Sequence, residues 1–176
     1  LLSGHLSRCL RSFTHLRMNT IIEALYFMLP AYLANMAPVL TKWIPLFDTP
    51  LDHGVRLHGN RLFGSHKTYR GLIAGVLFGI AAVLLQAALM RYQFWKDHSL
   101  IAYDLFPAGA LILLGVCFGL GALLGDLIKS FFKRRLGIGD GRPFILFDQL
   151  DFVIGALLLV SPFIVPPAPH LIVIIL

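Results

Sequence analysis

Charged residues are scarce in this chain: they make up 14% of its 176 residues, while 57% are hydrophobic. A soluble domain carries roughly one quarter charged residues. Cysteine is scarcer still, because Cys9 and Cys117 are the whole supply and stand far apart. This excludes a disulfide framework and a thiolate metal site, and it makes redox chemistry an unsuitable function. The composition predicts a protein whose main solvent is a lipid bilayer.

Long uncharged runs take the place of the missing charges. Residues 71–90 and 105–125 are each long enough to cross a hydrocarbon core of roughly 30 Å. Residues 24–41 contain Pro30, Asn35 and Pro38 and are predicted to form a broken or kinked span. Residues 152–176 contain four prolines, which predict a helix to about residue 165, a turn and the start of another helix.

These runs predict an all-α fold, a polytopic membrane bundle of about five transmembrane helices. The last helix is expected to be truncated, because the chain stops at Leu176 within an apolar run. Residues 1–17 are basic and precede the first methionine, Met18. We expect them to be an extension outside the fold, with an organellar transit peptide as the alternative. Residues 18–176 are expected to form a single integral membrane domain.

Basic residues cluster in two of the predicted loops. The first loop contains Lys42, Arg56, Arg61, Lys67 and Arg70, and the third contains Lys129, Lys133, Arg134, Arg135 and Arg142. Only Arg91 and Lys96 lie in the loop between them. The positive-inside rule places the first and third loops on the cytoplasmic face. The net charge of +6 therefore points to lipid headgroups and anionic nucleotides, not to nucleic acid. For Lys42 and Arg135, membrane orientation alone is a sufficient explanation.

The third loop carries candidate chemistry. If the preceding helix continues past residue 125, then Asp126, Ser130, Lys133 and Arg134 share one face. Further on, Asp148 and Asp151 are spaced i, i+3 at the start of the next apolar run. Together with Asp126 they suit a hard cation such as Mg²⁺, held in part by substrate phosphates. The alternative is that Asp148 caps a helix and Asp151 is an acid of its first turn.

The first loop offers a second candidate site. Lys67, Thr68 and Arg70 precede the predicted second span, where helix N–H groups and cations favour an anion. A Walker site is excluded, because Lys67 follows Gly64 by three positions rather than one. Asn35 in the first span is a weaker candidate for lipid binding, and a hydrogen bond between helices is its alternative explanation.

Several of these residues, taken in order, resemble a known family. The Ser130-x-x-Lys133-Arg134 and Asp148-x-x-Asp151 elements are similar to the signature of CDP-diacylglycerol synthases, although Gly139 and Gln149 replace a Lys and an Arg of that signature. The resemblance is closer to the CDP-archaeol synthase family of the CTP-transferase superfamily, and it covers residues 20–170. The matching motifs are Pro30-Ala-Tyr32-Leu-Ala-Asn35, Arg61-Leu-Phe-Gly64, Lys67-Thr68-x-Arg70-Gly71, Gly125-Asp126, Ser130-x-x-Lys133-Arg134 and Asp148-Gln149-x-Asp151.

This resemblance implies an enzyme that joins CTP and 2,3-di-O-geranylgeranylglyceryl phosphate into CDP-archaeol and pyrophosphate, with Mg²⁺ as cofactor. CTP, a lipid phosphate and the bilayer are its implied partners, and the cytoplasmic face of the cell membrane is its implied location. The implied phosphate-binding residues are Lys67, Thr68, Arg70, Ser130, Lys133 and Arg134. The implied metal ligands are Asp126, Asp140, Asp148 and Asp151. The implied catalytic set is Lys67, Lys133, Arg134, Asp148 and Asp151.

Three other functions stay open. A CTP-dependent polyprenol or phytol kinase would transfer the γ-phosphate to a hydroxyl, which needs a base, and the third loop contains no His. A CDP-diacylglycerol synthase would run the same chemistry on an ester lipid. A small membrane transporter would place charges at mid-depth in its spans, whereas here they concentrate in loops on one side.

Overall fold

The computed structural model describes residues 2–57, 59–138 and 150–176, with side chains from residue 18 onward. Its helices are α1 (Leu2–Leu40), α2 (Tyr69–Leu89), α3 (Gln93–Asp97), α4 (Ala108–Arg135), α5 (Asp151–Val160) and α6 (Ala168–Ile175). A 3₁₀ turn lies at Tyr103–Leu105, and an antiparallel hairpin of β1 (Arg56–Leu57) and β2 (Asn60–Arg61) lies in the first loop. The predicted all-α class is confirmed.

Three helices are long and apolar enough to cross a membrane: Met18–Leu40 of α1, α2 and α4. They correspond to the three spans predicted from the uncharged runs. Helix α5 is apolar but shorter, and it ends at Val160, before the predicted residue 165. The reason is Pro162, which has no N–H to donate to the Leu158 carbonyl four residues earlier; the Ser161 hydroxyl donates to that carbonyl instead, at 2.8 Å. A turn at residues 161–163 then leads to α6.

Helix α4 lies in the middle of the bundle and packs against α1, α2 and α5. Glycines let the helix backbones approach closely. A Cβ atom added to Gly79 of α2 would lie 2.6 Å from the Gly115 carbonyl oxygen of α4, and a Cβ on Gly121 of α4 would lie 2.5 Å from the Gly155 carbonyl oxygen of α5. At these positions the glycines therefore serve close helix packing.

The core is a layer of large side chains at the crossing of α1, α2 and α4. Phe27 and Phe118 meet edge to face with ring centroids 5.4 Å apart. Met28, Val83 and Leu114 surround them and are fully buried. Edge-to-face aromatic pairs add about 0.5–1.5 kcal/mol to the stabilisation from burial alone.

The first span was predicted to be broken or kinked, and the break is wrong, because α1 runs through both Pro30 and Pro38; the kink stays a prediction. A proline inside a helix leaves the carbonyl four residues earlier without its usual donor. For Pro30 that carbonyl belongs to Tyr26, and Gln86 of α2 donates its side-chain N–H to it at 2.6 Å. The freed group is therefore satisfied by a neighbouring helix, and the helix does not need to break.

Helix α1 begins at Leu2, so residues 2–17 are helical. This does not test the expectation that residues 1–17 lie outside the functional fold, which stays a prediction. The two ends of the bundle differ in character. One end, here called the charged pole, consists of loop 41–68 and the adjoining ends of α1, α2, α4 and α5. At the other end, Glu23 of α1 meets His170 of α6 at 2.6 Å.

Candidate active site

Four charged side chains from three segments meet at the charged pole. The Lys67 ammonium, at the end of loop 41–68, donates to the Asp126 carboxylate of α4. The Lys129 ammonium of α4 lies 3.4 Å from Asp126 Oδ1 and 2.7 Å from Asp151 Oδ2 of α5. Positive and negative side chains therefore alternate from one contact to the next. The four side chains of Lys67, Asp126, Lys129 and Asp151 are here called the charged network. Its side chains range from 28% exposed at Lys67 to 7% at Asp151, so one end faces solvent and the other is buried.

This contact confirms part of the predicted topology. Lys67 belongs to the first loop and Asp126 to the start of the third, so the two basic loops do share one side of the bundle. Helix α4 also continues past Gly125 to Arg135, as the shared-face prediction required. The extension carries Asp126, Lys129 and Lys133 beyond the close-packed part of the bundle.

Loop 41–68 is held in place by a buried carboxylate. The Asp52 side chain is fully buried and accepts hydrogen bonds from the backbone N–H groups of Gly54 (3.0 Å), Gly64 (3.3 Å) and Phe63 (3.4 Å), and from the Arg61 guanidinium (3.1 Å). Burial raises the pKa of Asp52, but these hydrogen bonds and the Arg61 charge bring the pKa below its usual value. Asp52 is therefore an ionised anchor at neutral pH.

The anchor continues directly into the segment that presents Lys67. The Leu51 N–H donates to the Lys67 carbonyl at 2.7 Å, and Pro50 pairs with Thr68. Thr68 is the N-cap of α2, and its hydroxyl accepts from the Gly71 N–H at 3.3 Å. The side chain of Lys67 thus leaves a backbone that is fixed on both sides.

Lys67 and Asp126 line a small cavity of about 40 Å³ with His66, Thr68 and Pro38. Small-molecule sites usually measure roughly 300–1,000 Å³, so this cavity holds water-sized groups and no nucleotide. A triphosphate held by Lys67 would have to lie outside this cavity, at its mouth, and would compete with Asp126 for the Lys67 ammonium.

Comparison with known proteins identifies the family. The family model described as CarS-like, CDP-archaeol synthase, matches residues 17–176. The CDP-archaeol synthase of Aeropyrum pernix is 44% identical over 142 residues, covering 80% of this chain and 70% of the relative. That of Methanocaldococcus jannaschii is 38% identical over 157 residues, covering 89% and 83%. The chain belongs to the CDP-archaeol synthase family. It is therefore an integral membrane enzyme that transfers a cytidylyl group.

The fold is shared as well as the sequence. A solved structure described as an intramembrane enzyme for archaeal membrane lipids biosynthesis superimposes with a TM-score of 0.67. It is 38% identical, and the match covers 88% of this chain and 87% of the other. The matching CDP-archaeol synthases are named for cytidylyl transfer, so no finding favours the kinase or the transporter that the sequence left open.

In this member of the CDP-archaeol synthase family, the predicted phosphate ligands Ser130 and Arg70 also make contacts within the protein. Ser130 is buried and donates its hydroxyl to the Asp126 carbonyl of its own helix at 2.8 Å. Arg70 donates to the Ile44 carbonyl at 2.7 Å and pairs with Asp48 at 2.8 Å. Arg70 lines an apolar groove with Ile73 and other residues of α2, away from the cavity of Lys67. Arg70 and Lys67 thus line different cavities.

The other predicted residues fall into two groups. Lys133 and Arg134 lie in the last turn of α4, as expected, and Arg134 donates to the Ile138 carbonyl at 2.8 Å. Asn35 lies on α1 and is partly buried, so its role in lipid binding stays a prediction. Asp140 and Asp148 lie outside the described residues, and their roles as metal ligands stay predictions too.

The described residues offer a partial metal site. Within the described ranges, no group of three or more His, Cys, Asp and Glu side chains lies close enough to hold a metal ion. Asp126 and Asp151, however, share one cation in Lys129. Asp151 Oδ1 is buried and accepts no hydrogen bond in this part of the chain. Mg²⁺ commonly binds through one or two carboxylates plus substrate phosphates, so the donor set of the CDP-archaeol synthase family member fits the predicted ion.

Lys129 is the site residue that sequence reasoning missed. From the sequence it is identified only as one of the basic residues of the third loop and not on the face of Asp126, Ser130, Lys133 and Arg134. Its spacing of i+3 from Asp126 was the available signal. Its contact with Asp151 could not be read from the chain, because that contact depends on how α5 packs against α4.

An apolar groove begins where the charged network ends. It lies between α4 and α5, has a volume of about 470 Å³ and contains Lys129 and Asp151 at its polar edge. Its other lining residues are Gly125, Ile128, Phe132, Leu136, Ile154, Gly155 and Leu158. An amphiphile could place a charged head at the network and apolar chains along the groove.

Proposed function

We propose that this enzyme transfers CMP from CTP to a lipid phosphate, with 2,3-di-O-geranylgeranylglyceryl phosphate as the acceptor, at the cytoplasmic face of the cell membrane. The observation that carries the proposal is the charged network of Lys67, Asp126, Lys129 and Asp151 at the edge of an apolar groove. Water-soluble and lipid-soluble reactants can meet only where such surfaces adjoin. The names of the related enzymes support the choice of acceptor.

The reaction needs alignment more than it needs a base. A lipid phosphomonoester has lost its first proton, and largely its second, near neutral pH. One of its oxygens attacks the α-phosphorus of CTP, a new P–O bond forms, and the bond to the β-phosphate breaks with release of pyrophosphate. The barrier comes largely from bringing two anions together, so held positions and neutralised charge are the main needs.

The residues of the network divide this work. Lys67, at the exposed end, is placed to hold the triphosphate, and Lys133 and Arg134 extend the positive surface along α4. Lys129, at the groove, is placed to hold the acceptor phosphate. Asp126 and Asp151 would hold Mg²⁺, with Asp140 and Asp148 as further predicted ligands. When bound, Mg²⁺ supplies charge neutralisation at the phosphates and the departing pyrophosphate.

The test uses purified enzyme, CTP labelled at the α-phosphate and a mixed panel of ether and ester lipid phosphates, with a polyprenol in parallel reactions as the acceptor that a kinase would use. We expect a labelled CDP-lipid to accumulate in step with pyrophosphate, with preference for the isoprenoid ether lipid. Mass spectrometry of the lipids and a pyrophosphate assay measure both products. Stoichiometric CDP together with a newly phosphorylated alcohol would contradict the proposal and establish a kinase. Equal use of ester lipids would contradict the choice of acceptor alone.

A further inference from the structure

Arg135 makes an unusual set of contacts at the charged pole. It is the last residue of α4, and its guanidinium reaches loop 41–68. It donates to the backbone carbonyls of Leu57 (2.5 Å), Arg61 (3.0 Å) and Asn60 (3.5 Å). These carbonyls belong to the β1–β2 hairpin, so one side chain attaches both strands of the hairpin to α4.

The arrangement suits holding a loop better than binding a phosphate. Among the described residues, Arg135 pairs with no carboxylate, and its donors point at uncharged carbonyls. Its guanidinium also lies 5.1 Å from the centre of the Phe131 ring, one turn earlier on α4. This contact restricts the orientation of the guanidinium. A membrane-orienting charge would need none of these contacts.

A continuous path leads from Arg135 to Lys67. The Arg61 carbonyl accepts from Arg135, and the Arg61 guanidinium pairs with the buried carboxylate of Asp52. The neighbouring Leu51 N–H holds the Lys67 carbonyl. The Lys67 ammonium then returns to α4 at Asp126. Loop 41–68 is thereby attached to the same helix at two points.

The distance between these points explains what the second attachment does. Asp126 and Arg135 are nine residues apart, about 13 Å along an α-helix. If Lys67 made the sole contact between the loop and α4, the hairpin could move relative to α4 whenever the ammonium left Asp126 to meet a phosphate. With Arg135 holding the hairpin, Lys67 can change partner while its backbone stays in place.

We propose that Arg135 is a positioning residue, which fixes the hairpin to α4 so that Lys67 meets the triphosphate of CTP. The inference rests on the proposed function, because it takes CTP as the ligand of Lys67. Arg135 acts through Lys67 and touches no reacting atom, so its effect should appear mainly as weaker use of CTP and should depend on Lys67 being present.

The first experiment compares Arg135→Ala, Arg135→Gln and Arg135→Lys with Arg56→Ala, a matched control that removes an exposed charge from the same hairpin. We expect Arg135→Ala to raise the KM for CTP about tenfold or more, the effect of losing hydrogen bonds to a charged group, with a smaller change in kcat. Arg135→Gln keeps an N–H donor and should be intermediate. Equal effects of Arg56→Ala and Arg135→Ala would overturn the proposal, since charge alone would explain them.

A second measurement makes the test independent of activity. Hydrogen–deuterium exchange of the folded enzyme in detergent should show faster exchange at residues 55–62 in Arg135→Ala, with the amides of α2 and α4 unchanged. In a Lys67→Ala background, Arg135→Ala should add little further loss of CTP use, because the two residues act as one unit. Unchanged hairpin exchange, or fully additive losses, would overturn the inference. Failure of the wild-type enzyme to use CTP would instead overturn the proposed function, and the exchange data would still decide whether Arg135 holds the hairpin.

Discussion

Lys129 is a basic residue that links the two acidic side chains of the candidate active site. Its ammonium lies between Asp126 and Asp151, which stand on different helices. Without it, two carboxylates would face each other in a partly buried place, where like charges disfavour ionisation. Lys129 lies within ion-pair distance of both carboxylates and holds them close together. If metal and phosphates bind as proposed, the ammonium could turn from the carboxylates to a phosphate.

A substitution at Asp151 tests this interpretation. Asp151→Asn keeps the side-chain volume and can still accept a hydrogen bond near the start of α5, but it removes the charge that a divalent cation requires. We expect the variant to stay folded in detergent and to lose at least about a hundredfold in rate, roughly 2.7 kcal/mol of transition-state stabilisation. The measurement is single-turnover transfer of CMP as a function of Mg²⁺ concentration.

The control for that experiment is Asp97→Asn, which changes an exposed acid on α3 at the other end of the bundle. It should have normal activity. Near-normal turnover of Asp151→Asn at unchanged Mg²⁺ dependence would leave Asp151 as no more than an acid in the first turn of a helix.

At the scale of elements, α1 depends on its neighbours for its continuity. Gln86 of α2 is fully buried and makes two hydrogen bonds. It donates to the Tyr26 carbonyl of α1, and it accepts from the Tyr103 hydroxyl at 2.9 Å. The first contact satisfies the carbonyl that Pro30 leaves free. The second ties the loop after α3 to the bundle. The Gln86 side chain therefore links α1, the outer end of α2 and the loop after α3.

A double-mutant cycle measures this dependence. Gln86→Leu leaves the Tyr26 carbonyl and the Tyr103 hydroxyl without partners, each at a cost of about 1–3 kcal/mol. Pro30→Ala restores an N–H that can reach the Tyr26 carbonyl within α1. We therefore expect Gln86→Leu to cost about 1 kcal/mol less in the Pro30→Ala background. The free energies of unfolding of the wild type, the two single variants and the double variant would be measured in mixed detergent. The cost of the lost Tyr103 hydrogen bond is the same in both backgrounds and cancels. Equal costs in both backgrounds would mean that Gln86 does not compensate for the backbone hydrogen bond that is missing at Pro30.

The elements also show what the sequence could and could not reveal. The uncharged runs located α2 and α4 because length and polarity alone decide whether a helix can span a bilayer. The prolines led to a wrong prediction of a break in α1, because a side chain on another helix donates to the Tyr26 carbonyl. No local sequence pattern identifies Gln86 as that donor. The same limit applies to the site. The sequence identifies Lys67 and Asp126 as site residues. Their contact with each other and the attachment of Arg135 depend on how loop 41–68 folds over α4, and the contacts of Lys129 depend on how α5 packs against α4.

For the whole molecule, the division of charge predicts an orientation. Loop 41–68 and the end of α4 meet at the charged pole, which we expect to face the cytoplasm because it holds most of the basic residues. Thr49 and Asp97 are exposed at the two ends of the bundle. In a variant without native cysteines, Asp97→Cys should react with an impermeant thiol reagent on intact cells, and Thr49→Cys should react only after permeabilisation. The reverse pattern would invert the topology.

The buried layer beneath the charged pole matters for the membrane around the enzyme. Phe118 is eight residues from Asp126, about 12 Å along α4, and it is fully buried together with Phe27, Met28 and Leu114. Moving an ion from water into so apolar a medium costs on the order of 20 kcal/mol in the idealised case. Ions that enter at the charged network therefore stop there. The bundle therefore acts as an electrical insulator between its two water-exposed ends, so a cell can keep many copies in an energised membrane without dissipating its potential.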